Sequence, residues 1–511
     1  MLLSRARFSS IGPAGSLPCI YVSRLFGKQR RWIGTVSPPI RFSNEAVHGL
    51  LTSLSPSLDA SDDTPDIALS SYQDHKNACA IAIEVMGSLK QNHLTSTPVF
   101  LAKTMMRLRG SSTKVPEVRE AVAQLSGCIA ACRDLFTPSD ICAAFSSVKS
   151  FESSFPVVRD LLDSLTAQLN RIPSDAYFSA SDLSVALSGL RRCSVVVDSV
   201  HFAFQALAFR LDACTGVFSF TELGDAIIGF KSSNVESPQA RDAFQAVLKK
   251  FPTRGELLSK SLGKCLSGLR CSTSRSPDVL RYLSALTPFI NEADDLITPK
   301  SITSALGGMR SLRSSHKEVR GVIAALTPKV DACASEVSGH QLRLLFQGLR
   351  KFDSCDPEVR LLIAVLARLI AAGDKPFDRF TIYRVLGSMS LFSSEYSEVR
   401  ALLQAMTPKI SACDTGISLN YLVGAIGGLH RCSADFPEVR ELYAALKPLA
   451  ESAMASMKDS SGPAAMVPSE MRAKLKRSLL KDACKCPEAA GLLAAFGIQV
   501  PLVRDTVIVT V

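Results

Sequence analysis

One tryptophan and an aromatic share of 7% leave this chain of 511 residues few flat side chains on which a planar ligand can stack. No apolar run reaches the roughly eighteen residues that signal a bilayer-crossing helix, so no membrane insertion is expected. The catalytic spacings that carry a mechanism are also missing. There is no HExxH, no GxSxG, no P-loop and no GxGxxG following a strand. The seven histidines are scattered, so the chain reads as a non-enzyme with no catalytic residues, metal or cofactor. Cys484 and Cys486 form a close pair with no second pair to complete a zinc site.

Acid is absent over the first 44 positions, which carry Arg5, Arg7, Arg24, Lys28, Arg30, Arg31 and Arg41 before Glu45 appears. Removing those seven from the 58 basic residues leaves 51 against 47 acidic ones. Most of the net charge of +11 therefore belongs to the leader, and a pI near 9.0 says little about nucleic acid. An Arg-rich, Ser-bearing, acid-free leader has the composition of an organelle transit peptide. We expect residues 1–44 to be a disordered transit peptide and the mature chain to begin between Gly34 and Glu45. The location of Arg5 and Arg7 almost at the start favours the mitochondrial matrix, with plastids as the alternative.

The segments VPEVRE, FPVVRD, SPQARD, SPDVLR, HKEVRG, DPEVRL, YSEVRA and FPEVRE recur along the chain. With the Arg of PEVR as position zero, the series runs Arg119, Arg159, His201, Arg241, Leu280, Arg320, Arg360, Arg400 and Arg440. The intervals are 40, 42, 40, 39, 40, 40, 40 and 40, a period that reads as a solenoid. Each unit holds two amphipathic stripes at i, i+3, i+4 and i+7 spacing, such as Ile302, Ala305, Leu306 and Met309, then Val319, Ile323, Leu326 and Val330. Proline at −3 (Pro116, Pro156, Pro238, Pro277, Pro357, Pro437) suits the first turn of the second helix, and Glu at −2 suits its positive dipole end. A second proline at +8 (Pro288, Pro328, Pro408, Pro448) predicts a kink or early stop.

The expected fold is all-α, an α-solenoid of about nine helical hairpins over residues 96–457. Degenerate capping helices are expected over 45–95, and a helical cap and tail over 458–511. Glycine recurs at −12 (Gly189, Gly229, Gly268, Gly308, Gly348, Gly428), where a mid-helix Gly costs about 1 kcal/mol against Ala. Close helix approach is the expected compensation. Cysteines at +13 (Cys132, Cys214, Cys333, Cys413) read as small packed residues.

Two basic columns follow the period. Position −10 holds Arg109, Lys149, Arg191, Lys231, Arg270, Arg310, Arg350, Ser390 and His430. Stacked repeats align these in a ladder suited to a polyphosphate backbone, although cations near a helix C-terminus also favour the dipole. Position zero places Arg119, Arg159, Arg241, Arg320, Arg360, Arg400 and Arg440 in the first turn of the second helix. That is an unfavourable end for a cation, so a recurring partner is expected, either a carboxylate or a phosphate.

The tandem hairpins resemble the organellar helical-repeat proteins, and among them the octotricopeptide-repeat family. The resemblance spans about residues 96–455. It rests on the end of the first helix (Leu266, Gly268, Leu269, Arg270; Leu345, Gly348, Leu349, Arg350) and on the Pro-Glu opening of the second. Here Val-Arg follows Pro-Glu where that family has a Trp-containing motif, and no RAP-like terminal domain is seen. The resemblance implies single-stranded organellar RNA as partner and a role in transcript stability, processing, translation or ribosome assembly. Bases would be read by polar sites at −17, −16 and −13: Thr303, Ser304 and Gly307; Arg343, Leu344 and Gln347; Tyr383, Arg384 and Gly387. The alternative is a HEAT-like scaffold for other organellar proteins. A continuous concave basic stripe at −10 favours RNA, whereas charges buried in inter-repeat salt bridges there favour the scaffold.

Overall fold

A computed structural model describes residues 65–91, 96–293, 297–333, 337–414, 416–461 and 467–499. The acid-free leader and the apolar tail Val507 to Val511 lie outside these residues. Every regular element among them is helical. An entry helix, α1 (Pro65–Gln91), precedes nine hairpins. Their first helices are α2 (Pro98–Arg107), α4 (Pro138–Ser147), α6 (Ala180–Gly189), α8 (Phe220–Ile228), α10 (Ser259–Ser267), α12 (Pro299–Gly308), α14 (Gly339–Leu349), α16 (Arg379–Gly387) and α18 (Leu419–Gly427). The second helices are α3 (Pro116–Ala131), α5 (Pro156–Arg171), α7 (Asp198–Ala213), α9 (Pro238–Lys249), α11 (Pro277–Glu292), α13 (Lys317–Asp331), α15 (Pro357–Ala372), α17 (Ser397–Ser411) and α19 (Pro437–Ser461). A closing hairpin follows, α20 (Ser469–Ala483) and α21 (Pro487–Ala495).

Each helix starts where its sequence provides a partner for the first N–H groups. Most first helices are capped by a hydroxyl or carboxylate at −22. Thr97, Thr137, Ser179, Ser219, Thr298, Ser338 and Asp378 each accept from the backbone N–H three residues on. Second helices have no side-chain cap and mostly open on proline, whose missing N–H needs none. The prolines at +8 end no helix early. α11, α13 and α17 run through Pro288, Pro328 and Pro408 to 16, 15 and 15 residues, against 16 for α15, which has no such proline.

First helices stack on first helices and second on second, giving two layers, and the closing hairpin continues both. Between the layers Val319, Val322, Ile323, Leu326 and Val330 of α13 are buried, each burial contributing about 1.5–3 kcal/mol before entropy. The thiols of Cys193, Cys265 and Cys432 are fully buried, which pushes them up to about 12 and makes them packing groups rather than nucleophiles. Among the described residues no cluster of His, Cys, Asp and Glu could hold a metal, and no helix is long and apolar enough to cross a membrane.

Three further columns join one repeat to the next. A Cβ added at the −12 glycines would lie 1.9–2.2 Å from a main-chain carbonyl oxygen of the preceding first helix. Phe145 O meets Gly189, Leu187 O meets Gly229, and Leu266 O meets Gly308. The first hairpin, with no earlier first helix among the described residues, carries Arg107 at this position, ion-paired to Glu84 of α1.

At −6, buried hydroxyls accept from the backbone N–H of the next repeat's turn. Glu152 donates to Thr113 (3.1 Å), Ser194 to Ser153 (2.9 Å), Asp353 to Ser314 (2.8 Å), Ser393 to Ser354 (2.9 Å) and Ser433 to Ser394 (2.8 Å). At +9, Gln168, Arg210, Lys250, Lys329 and Lys409 reach back and donate to carbonyls at the end of the preceding second helix. One joint in the second layer differs. The backbone of α9 stands apart from α11, and Phe244, Phe251, Tyr282 and Phe289 fill the space with edge-to-face and tilted contacts.

Candidate nucleic-acid interface

The two arginine-rich columns meet different fates. At position zero the guanidinium folds back over its own turn. Arg320 donates to Ser314 O and Ser315 O at 3.0 and 3.2 Å, Arg360 to Ser354 O and Cys355 O at 3.2 and 2.9 Å, and Arg400 to Ser394 O and Glu395 O, both at 2.9 Å. Arg119 and Arg159 each bond two carbonyls in the same way, while Arg241 and Arg440 each bond one. The same side chains reach the Glu at −2 of the next repeat: Arg320 to Glu358 (3.5 Å), Arg360 to Glu398 (3.7 Å) and Arg400 to Glu438 (3.9 Å). Arg119, Arg360 and Arg400 also lie over the next repeat's aromatic ring, Phe155, Tyr396 and Phe436. At Arg360 and Arg400 the cation at the positive end of a helix is thereby offset by a carboxylate, two carbonyls and a ring. Arg119, Arg320, Arg360 and Arg400 of this column join repeats.

At −10 no such partner exists. Among the described residues, no carboxylate forms an ion pair with Arg109, Lys149, Arg191, Lys231, Arg270, Arg310 or Arg350. Arg191 donates through Nε to Lys149 O (3.1 Å) and Arg310 to Arg270 O (3.4 Å). Those bonds run the column along the stack and leave the Nη groups with no protein acceptor among the described residues. Lys149, Arg191, Lys231, Arg270 and Arg310 are half-buried, whereas Arg109, Arg350 and His430 are exposed.

The electrostatic consequence is strain of one sign. Burial, then the nearby Arg270, Arg191, Arg192 and Arg310, hold the Lys231 ammonium below its usual range. Burial, then Arg109 and Arg191, do the same to Lys149, with Asp225 opposing. Arg191 and Arg270 are depressed by burial and then by neighbouring guanidiniums.

These side chains border a hollow of about 1180 Å³ on the first-helix layer. Its walls take Arg109, Lys149, Arg191 and Lys231 from the column, together with Lys260, Lys264 and Lys300. The single carboxylate in the wall, Asp225, is paired with Lys264 at 2.5 Å. A second hollow of about 490 Å³ continues along Arg191, Lys231, Arg270 and Arg310. In repeat numbering most of the walls are positions −20, −17, −16, −13 and −10, one stripe of the first helix, joined by residues at −22 to −19 such as Leu258 and Thr298.

The proposed reading positions fall on this stripe, but not all remain available. Ser304 lines the hollow. Thr303 is buried and donates to Pro299 O at 2.6 Å. Gly307 and Gly387 sit against the next first helix, 3.5 Å from Leu344 O and 3.4 Å from Gly424 O by their would-be Cβ atoms. Arg343 pairs with Asp378 (3.3 Å), Leu344 and Gln347 are half-buried, and Tyr383 and Arg384 join an aromatic row. The lysines at −20 and −16 that share the hollow were not picked out in the sequence. They belong to repeats five and six, with no such pair running the length of the array.

No family model and no curated protein matches this chain. Among solved structures, a homology model of the full-length AP-3 complex in an intermediate open conformation aligns over 88% of this chain and 79% of its own, at 12% identity and a TM-score of 0.21. That likeness is too slight to bear on function.

Proposed function

We propose that this chain is a helical-repeat protein that binds single-stranded RNA along its first-helix layer, in the mitochondrial matrix, in the service of transcript stability, processing, translation or ribosome assembly. One observation carries the reading. The repeat contains two cation columns, and the column not consumed by inter-repeat pairing is the one crowded around an open, nearly carboxylate-free hollow. Half-buried cations that repel one another destabilise the fold unless a counter-charge arrives, and a phosphodiester strand supplies one charge per nucleotide. The hollow is elongated along the stack, which matches a strand rather than a small anion. The acid-free leader supports the compartment; N-terminal sequencing of the organellar protein tests it, and an intact Met1 in the cytosol would refute it.

The binding test is a triple variant, Lys149→Gln, Lys231→Gln and Arg270→Gln, whose side chains bond no protein group among the described residues. Each lost phosphate contact on a single strand flattens the log–log salt dependence by about 0.7, so the slope should change by roughly two units. An unaltered slope in a folded variant refutes the reading.

A second reading, a scaffold for other proteins, is favoured by a different feature. On α7, Phe202 and Phe209 are 55% and 59% exposed, and they flank a groove of about 560 Å³ against α5. Large exposed aromatics on one helix face are a common mark of protein contact. A folded chain that ignores RNA and whose Phe202→Ser, Phe209→Ser variant loses a co-purifying protein would support this reading instead.

A further inference from the structure

We propose that the first helices of repeats seven to nine carry a base-stacking station for single-stranded RNA, formed by Phe380, Tyr383 and Tyr421 and flanked by Arg343, Arg379 and Arg384. This rests on the RNA reading above and adds to it where the strand's bases, rather than its phosphates, are held.

The eighth repeat is where the ladder at −10 fails, since Ser390 stands where earlier repeats have Lys or Arg. The same repeat places Phe380 at −20 and Tyr383 at −17. In earlier repeats those positions face the hollow as Lys260, Lys300 and Gly263. Along one helix stripe, then, the chemistry changes from phosphate-binding cations to rings.

The rings form a continuous row. Tyr383 and Tyr421 stack with centroids 4.9 Å apart at 27°, and Phe380 lies 5.5 Å from Tyr421. Guanidiniums cover both ends: Arg384 is 5.0 Å from the Tyr383 centroid, Arg379 is 5.0 Å and Arg343 5.9 Å from that of Phe380. Asp378 fixes Arg343 from the side at 3.3 Å.

The row is seated by design of the neighbouring helix. A Cβ at Gly424 would come within 2.5 Å of Tyr383 Cε2, so the ring occupies the space a side chain would take. Core tyrosines of this protein behave otherwise. Tyr282 and Tyr443 are fully buried, with hydroxyls bonded to Cys265 O (3.3 Å) and Asp482 (2.9 Å). Phe380, Tyr383 and Tyr421 stay partly exposed, and the hydroxyls of Tyr383 and Tyr421 bond no protein group among the described residues.

A row of rings flanked by guanidiniums on a partly exposed face matches one class of ligand. Unstacked bases lie on aromatic faces and on Arg planes, and the same guanidiniums can turn to grip the flanking phosphates. Arg343 and Arg384 would then exchange a ring for a base without leaving the cluster.

The test uses the full chain and labelled oligouridine, with affinity followed by anisotropy across a salt series. Tyr383→Leu with Tyr421→Leu should weaken binding about tenfold or more, because a stacked base is worth that much. The salt slope should stay unchanged, since no phosphate contact is lost. Tyr383→Phe with Tyr421→Phe keeps the rings and should bind like the parent. Equal affinity of the leucine pair and the parent overturns the station while the slope test on Lys149, Lys231 and Arg270 still stands. A parent chain that binds no oligouridine overturns both. Should the leucine pair not fold, 2-aminopurine placed in the oligonucleotide decides on the parent chain. Quenching of its fluorescence on binding supports stacking, and brightening at every position overturns it.

Discussion

Replacing Gly308 by alanine pits two well-measured effects against each other. Gly308 closes α12, so helix propensity favours alanine there by less than the roughly 1 kcal/mol of a helix interior. The structure predicts the opposite sign. The added Cβ would lie 2.1 Å from Leu266 O and 2.5 Å from both Leu266 C and Ser267 Cα. Even a weak C–H···O approach needs about 3.3 Å, so α12 would have to withdraw from α10 by more than about 1 Å. These neighbours are backbone atoms that no rotamer change can move. Overpacking ordinarily costs about 1–3 kcal/mol, and a clash with main chain belongs at the upper end, about 3 kcal/mol net of the propensity gain. The control is Gly127→Ala in α3, where nothing lies within 4 Å of the new Cβ and the propensity gain of about 0.5–1 kcal/mol should appear undiminished. Urea unfolding followed by circular dichroism measures both on the same scale. A Gly308→Ala chain as stable as the parent would refute the close-approach account of the glycine column.

Lys231→Met should stabilise the chain at pH 7, because burial and four surrounding guanidiniums depress this ammonium below its ordinary 10.5 and so disfavour its charged form in the fold. That destabilisation is complete at neutral pH and fades as the parent's lysine loses its proton, so the difference between variant and parent in urea midpoint should shrink toward pH 10.5. Arg360→Lys should cost about 2 kcal/mol, since an ammonium cannot serve Ser354 O, Cys355 O, Glu398 and the Tyr396 ring together, and it should leave the salt slope of RNA binding untouched. Ser314→Ala should cost about 1–3 kcal/mol by leaving the Asp353 N–H without its acceptor, measurable as a drop in urea midpoint and as faster hydrogen exchange at that amide.

The architecture was legible because its signals are local. Apolar spacing, Pro at −3 and Glu at −2 each act within one helix, and the fixed period then sets the repeat. The glycine column was legible as an anomaly, because repetition of an unfavourable residue implies a compensating contact. The hydroxyls at −6 and the long side chains at +9 were missed. Serine and lysine are ordinary surface residues, and only the stacking shows that Ser354 is buried against Ser393 N or that Lys409 reaches Gly373 O. Proline at +8 misled for a related reason. It removes a single bond, to the carbonyl four residues back, and α13 runs on past Pro328 for three more residues. At the candidate interface, position named the −10 cations correctly as a column, but their lack of carboxylates and the ring cluster at Phe380, Tyr383 and Tyr421 depend on which helices lie side by side.

The bond between repeats is written in two halves, an Arg at zero and a Glu at −2 of the following unit. Because every unit from Arg320 to Arg440 carries both halves, any of them can follow any other. Unequal recombination that removes or duplicates one such unit therefore recreates a matched junction at the splice. At His201 and Leu280 both halves differ, with Ser199 and Asp278 where the units from Arg320 to Arg440 have Glu. Matched halves thus make the C-terminal units, from Arg320 to Arg440, mutually compatible neighbours.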